Sequence, residues 1–192
     1  MEVRYKLVDS PIVITPLLAV SLPTRDYPTL GHAAQGRGLK EYSAGFDFGH
    51  NAIAISPYLF VSGRYLFTYV ERIDPHVTVD RSNADFHVMY LATSRLTARA
   101  STMWQNTHGG LDLPLAGDEA VEHFHHHDQL ARANHWRAGV GLSFALTPSL
   151  EMLGAWSTVL ESENSHAFRS WTAGVAWNFD GARFRRVLPT TD

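Results

Sequence analysis

The densest group of chemically able side chains is Glu122-His123-Phe124-His125-His126-His127-Asp128. In an extended segment His123, His125 and His127 project to one side, and three imidazoles so placed are ligands for zinc, copper or nickel. A solvated His-rich loop also attracts divalent metal adventitiously, without dedicated geometry, so no cofactor is required. Metal held in this way is lost as pH falls through the histidine range. A second group is scattered along the chain: Glu41, Asp47, Arg64, Asp85, His87, Arg99, Arg137 and Glu151. Both signs are present, so these side chains can compensate one another in a wet interior or form a constriction that orients a polar solute group. Asp85 and His87 on their own are a fragment of a hydrolase constellation. No G-x-S-x-G elbow accompanies them, and the chain is expected not to be an enzyme.

The elements that carry these groups alternate with a period of two. In 134–146, Trp136, Ala138, Val140, Leu142, Phe144 and Leu146 oppose His135, Arg137, Gly139, Gly141, Ser143 and Ala145. In 169–179, Trp171, Ala173, Val175, Trp177 and Phe179 oppose Ser170, Thr172, Gly174 and Asn178. Successive side chains of a strand point to opposite faces, so each segment has one large apolar face and one small or polar face. Glycine, hydroxyl and charge suit a water-filled interior, which leaves the bulky face to meet lipid. Nine such strands are expected, at 2–8, 12–22, 39–49, 56–70, 82–92, 95–105, 134–146, 150–160 and 168–179. Helix signals are weak, and the best candidate is the acidic stretch 117–130. Tyr42, Tyr69, Trp104, Trp136, Trp171 and Trp177 fall near strand ends, as aromatic girdles at a lipid–water boundary do.

The links alternate in length. Asp9-Ser10-Pro11, Thr93-Ser94 and Thr147-Pro148-Ser149 are tight, and a short link is expected near His50-Asn51. The links 23–38, 71–81, 106–133 and 161–167 are longer. Short turns on one rim and long loops on the other are the pattern of bacterial outer-membrane barrels. The first strand runs toward a tight turn, so it starts on the long-loop rim. An even-stranded barrel with both termini in the periplasm therefore predicts an odd number of further strands ahead of it. Met1-Glu2-Val3-Arg4-Tyr5 lacks a basic and then apolar leader, which fits the same expectation of a piece that starts downstream.

Composition bounds the function. The chain has 192 residues, 45% hydrophobic and 18% charged, with a mean hydropathy of -0.15. No apolar run is long enough for a helical span, a test that strand-built membrane proteins escape. A formal charge of -3 with no basic stripe argues against nucleic acid. Cysteine is absent, which excludes disulfides and thiol chemistry.

Tyr5-Lys6-Leu7-Val8-Asp9, followed by Leu18-Ala19-Val20-Ser21-Leu22-Pro23-Thr24-Arg25-Asp26-Tyr27, resembles the L-P-T-G-D-Y-like hairpin of the outer-membrane protein family of the meta-pathway of phenol degradation. Trp136-Arg137-Ala138-Gly139-Val140-Gly141-Leu142-Ser143 and Gly174-Val175-Ala176-Trp177-Asn178-Phe179 follow in the family's order. The resemblance extends to Phe179. Arg25 departs from it, since the family carries glycine there, and so does the polar tail 180–192. The resemblance implies a barrel of about a dozen strands that passes or binds hydrophobic compounds, with no catalytic residues to carry over.

The expectation is an all-β chain: an antiparallel up-and-down transmembrane barrel over 1–179, with nine strands of twelve, in a bacterial outer membrane. Its partners would be lipid and small hydrophobic or aromatic solutes. A structural or adhesive barrel whose loops carry the function, and a soluble barrel that binds ligand inside, are the alternatives. On this facing, arginine at Val140 costs about 2–4 kcal/mol in a bilayer and arginine at Ser143 much less.

Overall fold

A computed structural model describes residues 1–25, 37–112, 127–164 and 167–177, with only the backbone at 127 and 128. The strands are β1 (Glu2–Arg4), β2 (Ile12–Ser21), β3 (Glu41–Asn51), β4 (Leu59–Val70), β5 (Val79–Leu91), β6 (Leu96–Gly109), β7 (Asn134–Thr147), β8 (Leu150–Glu163) and β9 (Arg169–Trp177). A four-residue helical turn, α1 (His127–Leu130), precedes β7. The nine strands form one antiparallel sheet in sequence order, so each pairs with its chain neighbours. The chain is all-β with up-and-down topology. The sheet is open: β1 and β9 are its edges and are not paired with each other.

The nine expected strands are all present, with shifted ends. The first is shorter than expected because regular pairing stops at Arg4, although Val8 still bridges Ile14. The fifth and sixth reach further toward the long links, because Val79 to Ser82 pair with Asn106 to Gly109. The short link expected near His50-Asn51 lies slightly later, at 52–58, because His50 and Asn51 still pair with Val61 and Phe60. Of the expected helix, the described part is α1 alone. Phe179, the tail and residues 113–126 lie outside the described residues.

Register turns the alternation into two faces. Asp47 on β3 opposes Arg64 on β4, which opposes Asp85 on β5, then Met103 on β6, Arg137 on β7 and Val159 on β8. The neighbouring row on the other face runs Phe48, Gly63, Phe86 and Thr102. Phe48 and Phe86 meet across Gly63 with ring centroids 6.3 Å apart. A Cβ on Gly63 would lie 2.5 Å from the Phe48 ring and 2.7 Å from the Asp85 carbonyl, so only glycine fits there. Tyr42–Tyr69, Phe46–Tyr65 and Trp156–Trp171 pack on the same face as directly opposed pairs.

Burial separates the faces in an order opposite to that of a water-soluble sheet. The bulky face is exposed: Trp136 at 45%, Val140 at 56%, Phe144 at 43% and Val175 at 65%. The buried strand residues lie mainly on the polar face, among them Leu17, Thr68, Thr97, Thr107 and Ser143. The sheet curls toward that face, where charges three strands apart meet. In flat geometry β1 and β4 would stand about 14 Å apart, yet Nη1 of Arg64 lies 3.6 Å from Oε2 of Glu2.

Candidate functional site on the curled polar face

Every residue of the scattered charged set lies on the polar face. Glu41 and Asp47 on β3, Arg64 on β4, Asp85 and His87 on β5, Arg99 on β6, Arg137 on β7 and Glu151 on β8 share its parity through the register of six strands. The structure does not bring them to one point. They fall into four places along the face.

The first is an ion network around Arg64. Its Nε donates to Oδ1 of Asp47 at 2.6 Å and its Nη2 to Oδ2 at 3.0 Å, a fork-on-carboxylate geometry. Glu2 joins from the edge strand at 3.6 Å, and Nη1 of Arg4 lies 3.4 Å from Oδ2 of Asp47. Asp85 sits directly across from Arg64 on β5. Four charges from β1, β3 and β4 are thus tied together, with Asp85 flanking them. The second place is nearer the long loops, where Arg81 on β5 donates to Glu41. The third is a cavity of about 430 Å³ toward the short turns, lined by Phe60, His87, Met89, Arg99, Ser143 and Leu153 among others. Most of its surface is carbon, and His87 and Arg99 supply the titratable groups beside the serines Ser62, Ser101, Ser143 and Ser157. The fourth is Arg137, whose guanidinium carbon stands 4.7 Å from the centre of the Phe168 ring. Glu151 stands opposite Ala145 and Ala176 at the short-turn end of β8, next on that face to Leu153 of the cavity wall.

Sequence reading missed Glu2, Arg4 and Arg81. Glu2 and Arg4 share a parity, which was legible, but their reach to Arg64 and Asp47 depends on curvature. Arg81 lies outside the strand expected at 82–92, so its facing was not read. Of the proposed metal ligands, His123 and His125 lie outside the described residues and His127 opens α1. Among the described residues no cluster of three metal-binding side chains occurs.

The rim at the long loops is furnished by main-chain and apolar contacts. Nη2 of Arg37 donates to the Gln129 carbonyl at 2.5 Å, and Nε2 of Gln129 donates to the Arg37 carbonyl at 2.6 Å. Gln129 and Leu130 are buried, as are Leu39, Val70 and Val79 in a small cluster on the same rim. The segments before β3 and before β7 therefore clasp each other over that end of the polar face. Outside the strands, Lys40 Nζ donates to Glu71 Oε1 at 2.8 Å and the Lys40 amide to Oε2 at 3.1 Å. The ammonium, then the amide, hold the Glu71 carboxyl below its ordinary range, and the same hydrogen bond raises Lys40.

No family model, no curated protein and no solved structure matches this chain.

Proposed function

We propose that this sheet is the wall of an outer-membrane β-barrel that conducts or binds small hydrophobic or aromatic molecules on its curled polar face. The observation that carries the reading is the inverted distribution of side chains. Trp136, Val140, Phe144 and Val175 stand outward and exposed, while hydroxyls, glycines and tied charges line the inner face. A sheet in water gains by the reverse arrangement, because burying each such side chain is worth about 1.5–3 kcal/mol. Lipid removes that penalty. Tyr42, Tyr69, Trp104 and Trp136 toward the long loops, with Tyr90 and Trp177 toward the short turns, fit two aromatic girdles. Residence in lipid requires closure, since unpaired strand edges have no water to bond. The edges of β1 and β9 must then be paired in the membrane.

The solute class follows from the lining. A cavity walled by Phe60, Met89 and Leu153 with His87 and Arg99 at hand suits an apolar or aromatic body carrying one polar or anionic group. The resemblance to the phenol-degradation outer-membrane family points to the same class of solute. The test is reconstitution into liposomes. Brominated lipid should quench Trp136 and Trp171, and the vesicles should become permeable to small aromatic acids. Tryptophans that lipid quenchers cannot reach would refute the membrane reading. Quenching without permeation of any solute would instead favour a structural barrel, for which the clasp between Arg37 and Gln129 closes the mouth.

A further inference from the structure

On the outward face, four residues that the ion networks do not use are linked side chain to side chain. Oγ of Ser82 on β5 is 2.7 Å from Nε2 of His108 on β6. Nδ1 of the same imidazole is 3.4 Å from Nδ2 of Asn106. The phenol oxygen of Tyr65 on β4 is 3.0 Å from Ser82 Oγ. Register builds the group: Ser82 lies directly between Phe67 and Asn106, and Asn106 and His108 share a face because they are two apart on one strand. A hydroxyl on a ring nitrogen, with the other ring nitrogen held by a third group, is the arrangement that activates a serine nucleophile.

We infer that Ser82, His108 and Asn106 form a serine esterase site on the exposed apolar face, acting on carboxylic esters of membrane lipids. The substrate class rests on the membrane reading above; the nucleophile does not. With the Asn106 amide turned so that Oδ1 accepts the Nδ1 proton, Nε2 is the free base facing Ser82 Oγ. Ser82 Oγ attacks the ester carbonyl carbon, its proton passes to His108 Nε2, and the carbonyl oxygen becomes an oxyanion. Tyr65 is placed to donate its hydroxyl to that oxygen. The carbon–oxygen bond to the alcohol breaks, and His108 returns the proton to the leaving alkoxide. Water then attacks the acyl-serine with His108 again as base, releasing a carboxylic acid and restoring Ser82.

Depth on the strands selects the ester. Tyr42 and Tyr69 lie two register rows nearer the long loops, the next row on this face, and Tyr65 and Trp104 two rows deeper. Rings of this kind sit at the boundary between headgroup and acyl chain, which is where the acyl esters of a phospholipid or an acylated glycolipid lie. Ser82 is 4% exposed, covered where the Phe67 ring meets the His108 ring at 5.7 Å between centres. Phe67 is itself exposed on the outward face, so it can turn aside as an acyl chain docks.

The experiment is labelling of the detergent-folded protein with a fluorophosphonate probe and mapping of the adduct by mass spectrometry. The adduct is expected on Ser82, absent after heat denaturation and absent in His108→Ala. Hydrolysis of p-nitrophenyl butyrate should fall at least about 100-fold in Ser82→Ala. Asn106 acts through His108 and is a positioning residue. Asn106→Ala should lower turnover, and Asn106→Asp should restore it in part while shifting the acid limb of the pH profile upward, since a carboxylate stabilises the imidazolium. Vesicles of phosphatidylcholine and of acylated glycolipid then separate the two lipid sources. Folded protein with no adduct on Ser82 overturns the inference, even where lipid quenching of Trp136 upholds the membrane reading. A labelled Ser82 in a protein whose tryptophans lipid cannot reach overturns the lipid substrate and leaves a soluble esterase.

Discussion

Arg64 on β4 clamps Asp47 on β3 through two parallel hydrogen bonds, at 2.6 and 3.0 Å, and the same guanidinium reaches Glu2 on the edge strand at 3.6 Å. One side chain therefore ties three strands on the inner face. Both partners are about three-quarters covered, so the pair is shielded more than a surface ion pair and is worth more. Its removal leaves Asp47 and Glu2 with Arg4 still between them but without the forked partner of Asp47.

Arg64→Ala should destabilise the folded state by about 1–3 kcal/mol, between the values for exposed and for buried pairs. In a double-mutant cycle with Asp47→Asn the two losses should be less than additive by on the order of 1 kcal/mol. Denaturant titration in micelles measures both. Full additivity would mean that the two residues do not act on each other. If the proposed pore conducts ions, Arg64→Ala should also shift selectivity toward cations.

Val140 and Thr172 lie on opposite faces of the sheet and are both exposed. Arginine at Val140, on the exposed apolar face, should cost about 2–4 kcal/mol in a bilayer. Ser143 lies on the polar face but is only 3% exposed, directly opposite Thr97 and against the cavity of about 430 Å³. A guanidinium there leaves bulk water, which adds a desolvation cost of its own and makes Ser143 a poor control. Thr172 is the suitable position: it has inward parity on β9 and is exposed. Thr172→Arg should cost less than about 1 kcal/mol. Equal costs at Val140 and Thr172 in lipid would contradict the assignment of faces.

Gly63 separates two phenylalanines, and its neighbours leave no space for a side chain. Gly63→Val should destabilise by about 1–3 kcal/mol, because the Asp85 carbonyl cannot retreat as a flexible side chain would. Gly154 is the contrast, since a Cβ there meets nothing within 4 Å. Gly154→Ala should be neutral or stabilising by up to about 1 kcal/mol. Thermal unfolding of the two variants side by side decides whether Phe48 and Phe86 depend on the gap.

The Lys40–Glu71 pair sets a pH window for the link between the β3 and β4 ends. Glu71 has its folded value lowered, so its contribution is present above the unfolded carboxylate value and is lost as pH falls through the folded one. Lys40 is raised, so its contribution is present below the unfolded amine value and disappears as pH rises through the folded one. Both groups are exposed, so the effect is small and confined to these two ends. Amide exchange at Lys40 and Glu71, taken relative to the unstructured-chain rate at each pH, should accelerate below the carboxylate range in the native chain. In Glu71→Gln it should be fast at neutral pH and lose that acid step.

The candidate site was partly legible before any coordinates. Glu41, Asp47, Arg64, Asp85, His87, Arg99, Arg137 and Glu151 each carried the right parity, because facing is a property of the local backbone. Their grouping was not legible. Whether Arg64 meets Asp47 or Glu151 depends on pairing between segments and on how far the sheet bends. Ser82 and His108 show the same limit: they are 26 residues apart, and nothing near either names the other. Alternation also fails silently at a bulge. Between Trp136 and Arg137 the register with β8 slips by one, so Glu161 faces outward opposite Trp136 and Ser162 faces inward opposite His135.

By itself, the chain's order of residues determined that nine segments are strands, that each has a bulky and a small face, and that tight turns alternate with long links. Steric preference and a two-residue repeat act within a few residues, so they can be read from a short window. Tertiary structure decided the register, the bend that brings Glu2 to Arg64, the clasp of Arg37 on Gln129, and the meeting of Ser82 with His108. Those depend on which distant backbones share hydrogen bonds, and only the assembled sheet specifies that.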